Sequence, residues 1–249
     1  MNLEKNWRNY MQNILFDLDG TLLPMNQEKF VTFYLPLLAE KMKKYDISTN
    51  DLISAVWKGF YAMVANDGRQ TNEDAFWEAF DAVTGWERAI VEPDVTDFYQ
   101  NEFNQAVVST DPTGTAVEII HTLKEQGKKI YLATNPVFPE CATMNRIKWA
   151  GLDASDFEAI TTYENSHYCK PNVKYFEEVL RENHLDPREC LMIGNDVKED
   201  LAAGQLGIKT WLVTDCLEHG DGLDLTKDVK ADYQSTLEEL LEACRRGEL

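Results

Sequence analysis

Cysteine is scarce and scattered in this 249-residue chain: Cys141, Cys169, Cys190, Cys216 and Cys244 are odd in number and form no C-x-x-C pair. That spacing argues against a disulfide framework and against a zinc site, and it suits a reducing compartment. Glycine and proline are few, 13 and 8, which excludes collagen-like, linker-like and low-complexity architectures. Long apolar runs are also missing. The longest stretch, residues 30–39, contains Thr32 and Pro36 and falls far short of the roughly 20 residues of a membrane span. Residues 1–13 mix Glu4, Lys5 and Arg8 with amides, so the expectation is a cytoplasmic protein without a secretory leader.

Positive charge is the other deficit. Against 43 Asp and Glu stand 24 Lys and Arg, for a net charge of −19. Such a surface repels phosphate backbones and anionic lipid, so neither nucleic acid nor a membrane surface is expected as a partner. A small anion can still bind where local donors override the distant field.

What is present is a change of texture along the chain. Ile14-Leu15-Phe16 is a short apolar run ending in Asp17, the pattern of a central parallel strand buried on both faces. From Pro24 to about Ser109 the pattern is helical. One stripe carries Phe30, Phe33, Tyr34, Leu37 and Leu38, with Pro36 expected to kink it. A second, from about Thr49, carries Leu52, Ile53, Val56, Trp57, Phe60 and Tyr61. A third follows Thr71 with Phe76, Trp77, Phe80 and Val83, and a fourth carries Val95, Phe98, Tyr99 and Phe103. This segment reads as an all-helical unit whose aromatic residues form its own core.

After Asp111-Pro112, a suitable N-cap and N1 pair, the pattern becomes α/β. A helix through Val117, Ile120 and Leu123 ends at Gly127. Strands are predicted at 129–133, 158–162, 190–193 and 209–213, alternating with helices near 140–150, 172–183 and 197–206. The fold class expected is therefore α/β, a doubly wound parallel sheet interrupted directly after its first strand by the helical unit. An insertion there hangs over the carboxyl ends of the strands, where open α/β sheets bind ligands. Beyond Cys216 only a closing surface helix around residues 238–241 is legible.

Asp17-Leu18-Asp19-Gly20-Thr21 places two carboxylates two residues apart where the chain leaves the first strand. One can attack while the other manages protons, and Gly20 permits a turn that lets backbone N–H groups face an anion. A calcium loop starting at Asp17 is disfavoured, because Leu22 stands at the sixth position, where the sharp turn needs glycine. Residues 14–21, ILFDLDGT, resemble the first motif of the haloacid dehalogenase-like superfamily, and that family's three further motifs have counterparts at other strand ends. Thr134-Asn135 resembles the second, whose hydroxyl and neighbouring N–H hold a phosphoryl oxygen. Lys170-Pro171 resembles the third, a lysine that neutralises the nucleophile and the bound phosphoryl group. Gly194-Asn195-Asp196-Val197-Lys198-Glu199-Asp200 resembles the fourth, acidic motif, but departs from it by having Asn195 immediately after the glycine.

The resemblance covers roughly residues 13–215. It implies a Rossmann-like core of residues 1–23 and 110–249, a helical C1-type cap of residues 24–109, and a Mg²⁺-dependent phosphatase acting on a small phosphorylated metabolite. Carried over to this sequence, Asp17 is the nucleophile that forms an aspartyl-phosphate, Asp19 the general acid and base, and Thr134 and Lys170 the supports of the phosphoryl group. Asp17, Asp19 and Asp196 are the implied metal ligands, with Asn195 and Asp200 as alternatives to Asp196. Asn135, and Arg69 in a predicted cap turn, are the candidates for substrate binding. A phosphomutase shares the Asp17/Asp19 pair, and a catalytically silent protein-binding module is the alternative outside enzymology. The four histidines, His121, His167, His184 and His219, are read as surface or helix residues.

Overall fold

Asn13–Phe16 (β1), buried at every position, pairs in parallel with two later strands, so it lies inside the sheet as its apolar run predicts. The computed structural model describes residues 11–249; Met1–Tyr10, most of the stretch read for targeting, lies outside the described residues. The other strands are Lys129–Leu132 (β2), Ala159–Ile160 (β3), Cys190–Gly194 (β4), Lys209–Val213 (β5) and Tyr233–Ser235 (β6). All pairings are parallel and the order is β3-β2-β1-β4-β5-β6. Strand order reverses at β1, whose neighbours β2 and β4 depart in opposite directions, and a crevice forms outside the carboxyl ends there.

Side chains alternate across the sheet. Ile14 and Phe16 pack with helices Gly114–Glu125 (α5), Glu140–Trp149 (α6) and Leu237–Arg245 (α8), whereas Leu15 packs with Val173–Glu182 (α7) and Ala202–Ala203. Between β1 and α5 run Gln27–Met42 (α1), Thr49–Val64 (α2), Asn72–Thr84 (α3), Arg88–Gln100 (α4) and a 3₁₀ segment, Glu102–Ser109. The two connections to this helical insertion lie side by side: Met25 bridges Thr110, and Asp111 N–H donates to the Pro24 carbonyl at 2.8 Å. That bond holds Asp111 extended, so α5 starts at Gly114 with Thr113 as its N-cap, later than the Asp111-Pro112 pair suggests. Among the described residues no helix is long and apolar enough to cross a membrane.

Several element boundaries differ from expectation for local reasons. The predicted third strand shrinks to Ala159–Ile160 at the sheet edge, and β6 extends the other edge from a tail with no strand signal. The predicted helix at 197–206 is a turn followed by the 3₁₀ segment Leu201–Leu206. There, the Asp196 carboxylate takes the N–H groups of Lys198 and Glu199 at 2.7 and 2.9 Å, shaping the turn around a side chain. The fourth helix stops at Gln100 and Phe103 sits in the 3₁₀ segment.

The helical insertion packs differently from the predicted stripes. On α1 the buried set is Phe30, Tyr34, Leu35, Leu38, Ala39 and Met42, with Phe33 exposed. On α2 the small residues Ala55 and Gly59 are buried. A Cβ on Gly59 would stand 2.4 Å from the Phe76 ring, so this glycine sets the close approach of α2 and α3. Val56, Trp57 and Phe60, assigned to the same buried face, instead line a cavity between the insertion and the sheet.

Candidate active site

The site is built on the end of β1. Asp17 N–H continues the sheet by donating to the Ile193 carbonyl at 2.9 Å. Beyond it the chain folds into a tight turn, with the Thr21 and Leu23 N–H groups donating to Leu18 O at 3.1 and 2.8 Å. Leu18 and Leu22 are fully buried anchors, while Asp17 and Asp19, in alternate positions, border the cavity. Gly20 adopts φ +87°, and a Cβ there would lie 2.3 Å from Asn195 Nδ2, so both conformation and space demand glycine.

Around this turn the structure brings Lys170, Thr134, Asn135, Asn195, Asp196 and Asp200 to the same end of the sheet. Lys170 is 1% exposed, and its ammonium donates to Asp17 Oδ1 at 2.9 Å and to Asp200 Oδ1 at 2.6 Å. Burial opposes its charge, but Asp17 and Asp200 outweigh that and hold its pKa well above the usual lysine value. Asp200 Oδ2 in turn accepts the Asp196 N–H at 2.9 Å, so both Asp200 oxygens are engaged in positioning other groups. Gly194 makes room for this carboxylate, since a Cβ there would fall 2.1 Å from Asp200 Oδ2.

Thr134 is buried against the cavity, its carbonyl fixed by the Tyr175 and Thr161 hydroxyls at 2.9 and 2.8 Å. The Asn135 amide donates to Glu199 Oε2 at 2.8 Å and accepts the Lys170 backbone N–H at 3.2 Å. Asn195 Oδ1 accepts from the Thr21 hydroxyl at 3.0 Å, and its amide nitrogen donates to Cys216 O at 2.5 Å.

Arg69 is the sequence candidate that the structure does not bring here. Its turn is docked on the core by the fully buried Asn72, whose amide donates to the carbonyls of Pro136 and Tyr168 at 3.2 and 3.3 Å. Gly68 packs against the Tyr168 ring, which leaves Arg69 pointing outward, 87% exposed and paired with Asp67 at 2.9 Å. It does not border the cavity that holds Asp17 and Asp19.

Three neighbours escaped the sequence reading. Arg146 of α6 is fully buried, bonded through Nη1 to Asp19 Oδ2 and lying 4.2 Å from the Phe138 ring centroid. Only the thin apolar stripe of α6, flanked by the small Ala142 and Thr143, hints that an arginine must face inward. His219, from the tail, lies 2.7 Å from Asp196 Oδ2. Glu199 borders the cavity, and its pKa is pushed up to about 8 by burial first and by the Asp196 carboxylate second. Burial likewise moves Asp17 and Asp19 upward, with Lys170 and Arg146 respectively pulling the other way. Among the described residues Asp19 Oδ1 is buried without a hydrogen-bond partner, while its sister oxygen is held by Arg146.

The cavity measures about 290 Å³. Its sheet end is this polar constellation; its far end is Phe30, Tyr34, Val56, Trp57, Phe60 and Phe76.

The comparisons agree with this architecture. Pyrophosphatase PpaX of Bacillus cereus is 24% identical over 239 residues, covering 95% of this chain and 99% of that protein. A HAD phosphatase from Thermococcus onnurineus superposes with a TM-score of 0.58 at 21% identity, over 93% of this chain and 97% of the other. The HAD-hydrolase YfnB of Bacillus subtilis, solved bound to magnesium, gives 0.54 at 21% identity over 94% and 98%. The family model for haloacid dehalogenase-like hydrolases matches residues 11–207, from the start of β1 through all four motif regions, and the chain belongs to that family.

Proposed function

We propose that the chain is a magnesium-dependent phosphatase that cleaves a small phosphate monoester through an aspartyl-phosphate on Asp17, with residues 24–109 as the cap and residues 1–23 and 110–249 as the core. The observation that carries this reading is the unequal support of two neighbouring carboxylates. Asp17 has an ammonium at 2.9 Å, which favours an ionised nucleophile. Asp19 is clamped on one oxygen by Arg146 and keeps the other, buried at the cavity, without a hydrogen-bond partner among the described residues, where it can exchange a proton with a bound group.

An Asp17 oxygen attacks phosphorus and the bond from phosphorus to the ester oxygen breaks; Asp19 delivers its proton to that departing oxygen. Asp19 then takes a proton from water, which attacks the same phosphorus and breaks the bond to Asp17, releasing inorganic phosphate. Lys170, the Thr134 hydroxyl and the backbone N–H groups of the β1 turn offset the charge of the transferring group.

Residues at the end of β1 and β4 fit a hard divalent ion. The buried or half-buried carboxylates Asp17, Asp19, Asp196, Glu199 and Asp200 face only two buried cations, Lys170 and Arg146, and the donors are all oxygens. Among the described residues no three Asp, Glu, His or Cys side chains form a ready cage. The ion would rest on Asp17 and Asp196, with the Asn195 amide oxygen and water, as magnesium tolerates because it retains several waters. Bound there, it neutralises the crowded carboxylates and the charge of the phosphoryl group. Asp200, whose Oδ1 lies 2.6 Å from the Lys170 ammonium, serves as the positioning partner of Lys170. YfnB, the fold neighbour solved with magnesium, supports the choice of metal.

The test is release of phosphate from para-nitrophenyl phosphate with and without Mg²⁺, by the native protein and by Asp17→Asn. Mg²⁺-dependent turnover that Asp17→Asn lowers by roughly 10⁴-fold or more is expected; full turnover in that variant would refute the assignment. A phosphomutase shares the carboxylate pair, so free phosphate and sugar bisphosphate are followed together, and bisphosphate as the main product would favour the mutase.

A further inference from the structure

We infer that the substrate is the monoester of a neutral, largely apolar alcohol whose hydrocarbon part fills the cap end of the cavity; this rests on the phosphatase reading above. The two ends of the cavity differ in chemistry. Every acidic group that borders it belongs to the sheet side: Asp17, Asp19, Asp196, Glu199, Asp200 and Glu218. No lysine or arginine is among the described residues lining it. The nearest buried cations are committed, Lys170 to Asp17 and Asp200, and Arg146 to Asp19. A leaving group carrying a carboxylate or a second phosphate would therefore enter a chamber of like charge with no lysine or arginine lining it, the divalent ion being engaged by the carboxylates and the transferring phosphoryl group. Arg69, the one cap arginine that sequence placed near the site, is turned to solvent.

A cationic leaving group would find ring faces in the cap half but no carboxylate there to pair with, and phosphocholine is the comparator that separates it from a neutral alcohol. Polyhydroxylated groups would meet only Gln27 and the polar tips of Tyr34, Trp57 and Tyr99 among rings and aliphatic side chains, too few partners for several hydroxyls. The aromatic residues are there for a physical reason: Ala55 and Gly59 take the α2–α3 contact, so Val56, Trp57 and Phe60, one helical step away, are turned toward the cavity instead of into the helix pair. At about 290 Å³ the chamber stands at the lower edge of small-molecule sites, roughly 300–1,000 Å³, which favours a compact alcohol over a nucleoside.

The test is a series of n-alkyl phosphates from ethyl to hexyl, whose leaving alcohols are nearly equal in reactivity, assayed with Mg²⁺ beside phosphoglycolate, pyrophosphate, a hexose monophosphate and phosphocholine. Expected is a kcat/KM that rises about three- to fourfold for each added methylene, the factor for burying one methylene. Hexyl phosphate should exceed each polar comparator by about 100-fold. Trp57→Arg, at the rim and 37% exposed, should cut the preference for hexyl phosphate over phosphoglycolate by about tenfold or more. A flat alkyl series, or a higher kcat/KM for any of the polar comparators, overturns the inference. Calorimetric binding of hexylphosphonate against ethylphosphonate separates the two failures. Tighter binding of the longer chain with no ester hydrolysed defeats the phosphatase reading and supports the cavity assignment; equal binding of the two, with brisk hydrolysis of a polar ester, does the reverse.

Discussion

The sheet end and the cap end of one cavity are built on opposite principles. At the sheet end the polar groups are tied into a network that leaves Asp19 Oδ1 open: Lys170 spans Asp17 and Asp200, Asp200 holds the Asp196 N–H, and Asn135 links Glu199 to the Lys170 backbone. At the cap end, Gln27 apart, the side chains are apolar or aromatic and are held chiefly by packing, as in Phe76 stacked on Phe80 at 5.5 Å and Trp57 edge-on to Phe60 at 5.4 Å. The difference teaches that reaction type and substrate choice are written in separable parts. Substitutions at the sheet end should act on kcat, and those at the cap end on KM and stability.

The largest expected effect that sharpens this contrast is at Asp19. Asp19→Asn keeps the shape but removes the proton carrier, and kcat should fall by about 10²–10⁴-fold with substrate binding largely kept, measured by steady-state kinetics. Arg146→Met comes next. It leaves a buried carboxylate without its partner, which costs about 3–5 kcal/mol in denaturant unfolding. It should also lower kcat by roughly tenfold or more as Asp19 loses its orientation; a stability loss with unchanged kcat would show that Arg146 only supports the fold. Gly59→Ala tests the opposite end. Its methyl would meet the Phe76 ring at 2.4 Å, so about 1–3 kcal/mol of destabilisation and a raised KM are expected, with kcat little changed.

The smallest effect expected is in the pH dependence of stability without metal. Glu199 has a folded-state pKa of about 8 against an ordinary 4.5, and Asp17 shifts in the same direction. Between those limits the folded chain holds more protons than the unfolded one, so stability falls as pH rises from about 5 to 8. In EDTA the melting temperature should therefore be lower at pH 8 than at pH 5, by about 3 °C or more at the ~2–4 °C per kcal/mol of a chain this size. Mg²⁺ should stabilise more at pH 8 than at pH 5. A melting temperature that climbs with pH in EDTA would contradict the burial that raises these two carboxyl groups.

Much of the sheet was legible because strands buried on both faces read as short apolar runs, each closing on a polar residue: Phe16 before Asp17, Ala133 before Thr134, Ile193-Gly194 before Asn195. Edges were harder. The two-residue β3 and the three-residue β6 carry too few positions for a period to show. In the insertion, periodicity found Phe30, Tyr34, Leu38 and Leu52 of the buried faces, but α1 and α2 are apolar on more than one side, so it missed Leu35 and Ala55 and counted Phe33, Trp57 and Tyr61, which stand exposed. Asp17, Asp19, Thr134, Asn195 and Asp196 could be found because each follows a strand, and Lys170 because its Lys-Pro step precedes a helix, all in segments that resemble the family's motifs. Arg146 and His219 could not, since one is a single arginine on a helix and the other sits in a tail without pattern, and only tertiary folding brings them to Asp19 and Asp196. Arg69 shows the converse, an arginine in a plausible turn that the Asn72 anchor directs away.

Rapid acid quenching during turnover, followed by mapping of the peptide that contains Asp17, tests the central claim most directly. A phosphoryl adduct on Asp17 that builds and decays at rates matching phosphate release, and that is missing in Asp17→Asn, is the expected result. Phosphate released at the full rate while Asp17 stays unmodified at every quench time would contradict the account.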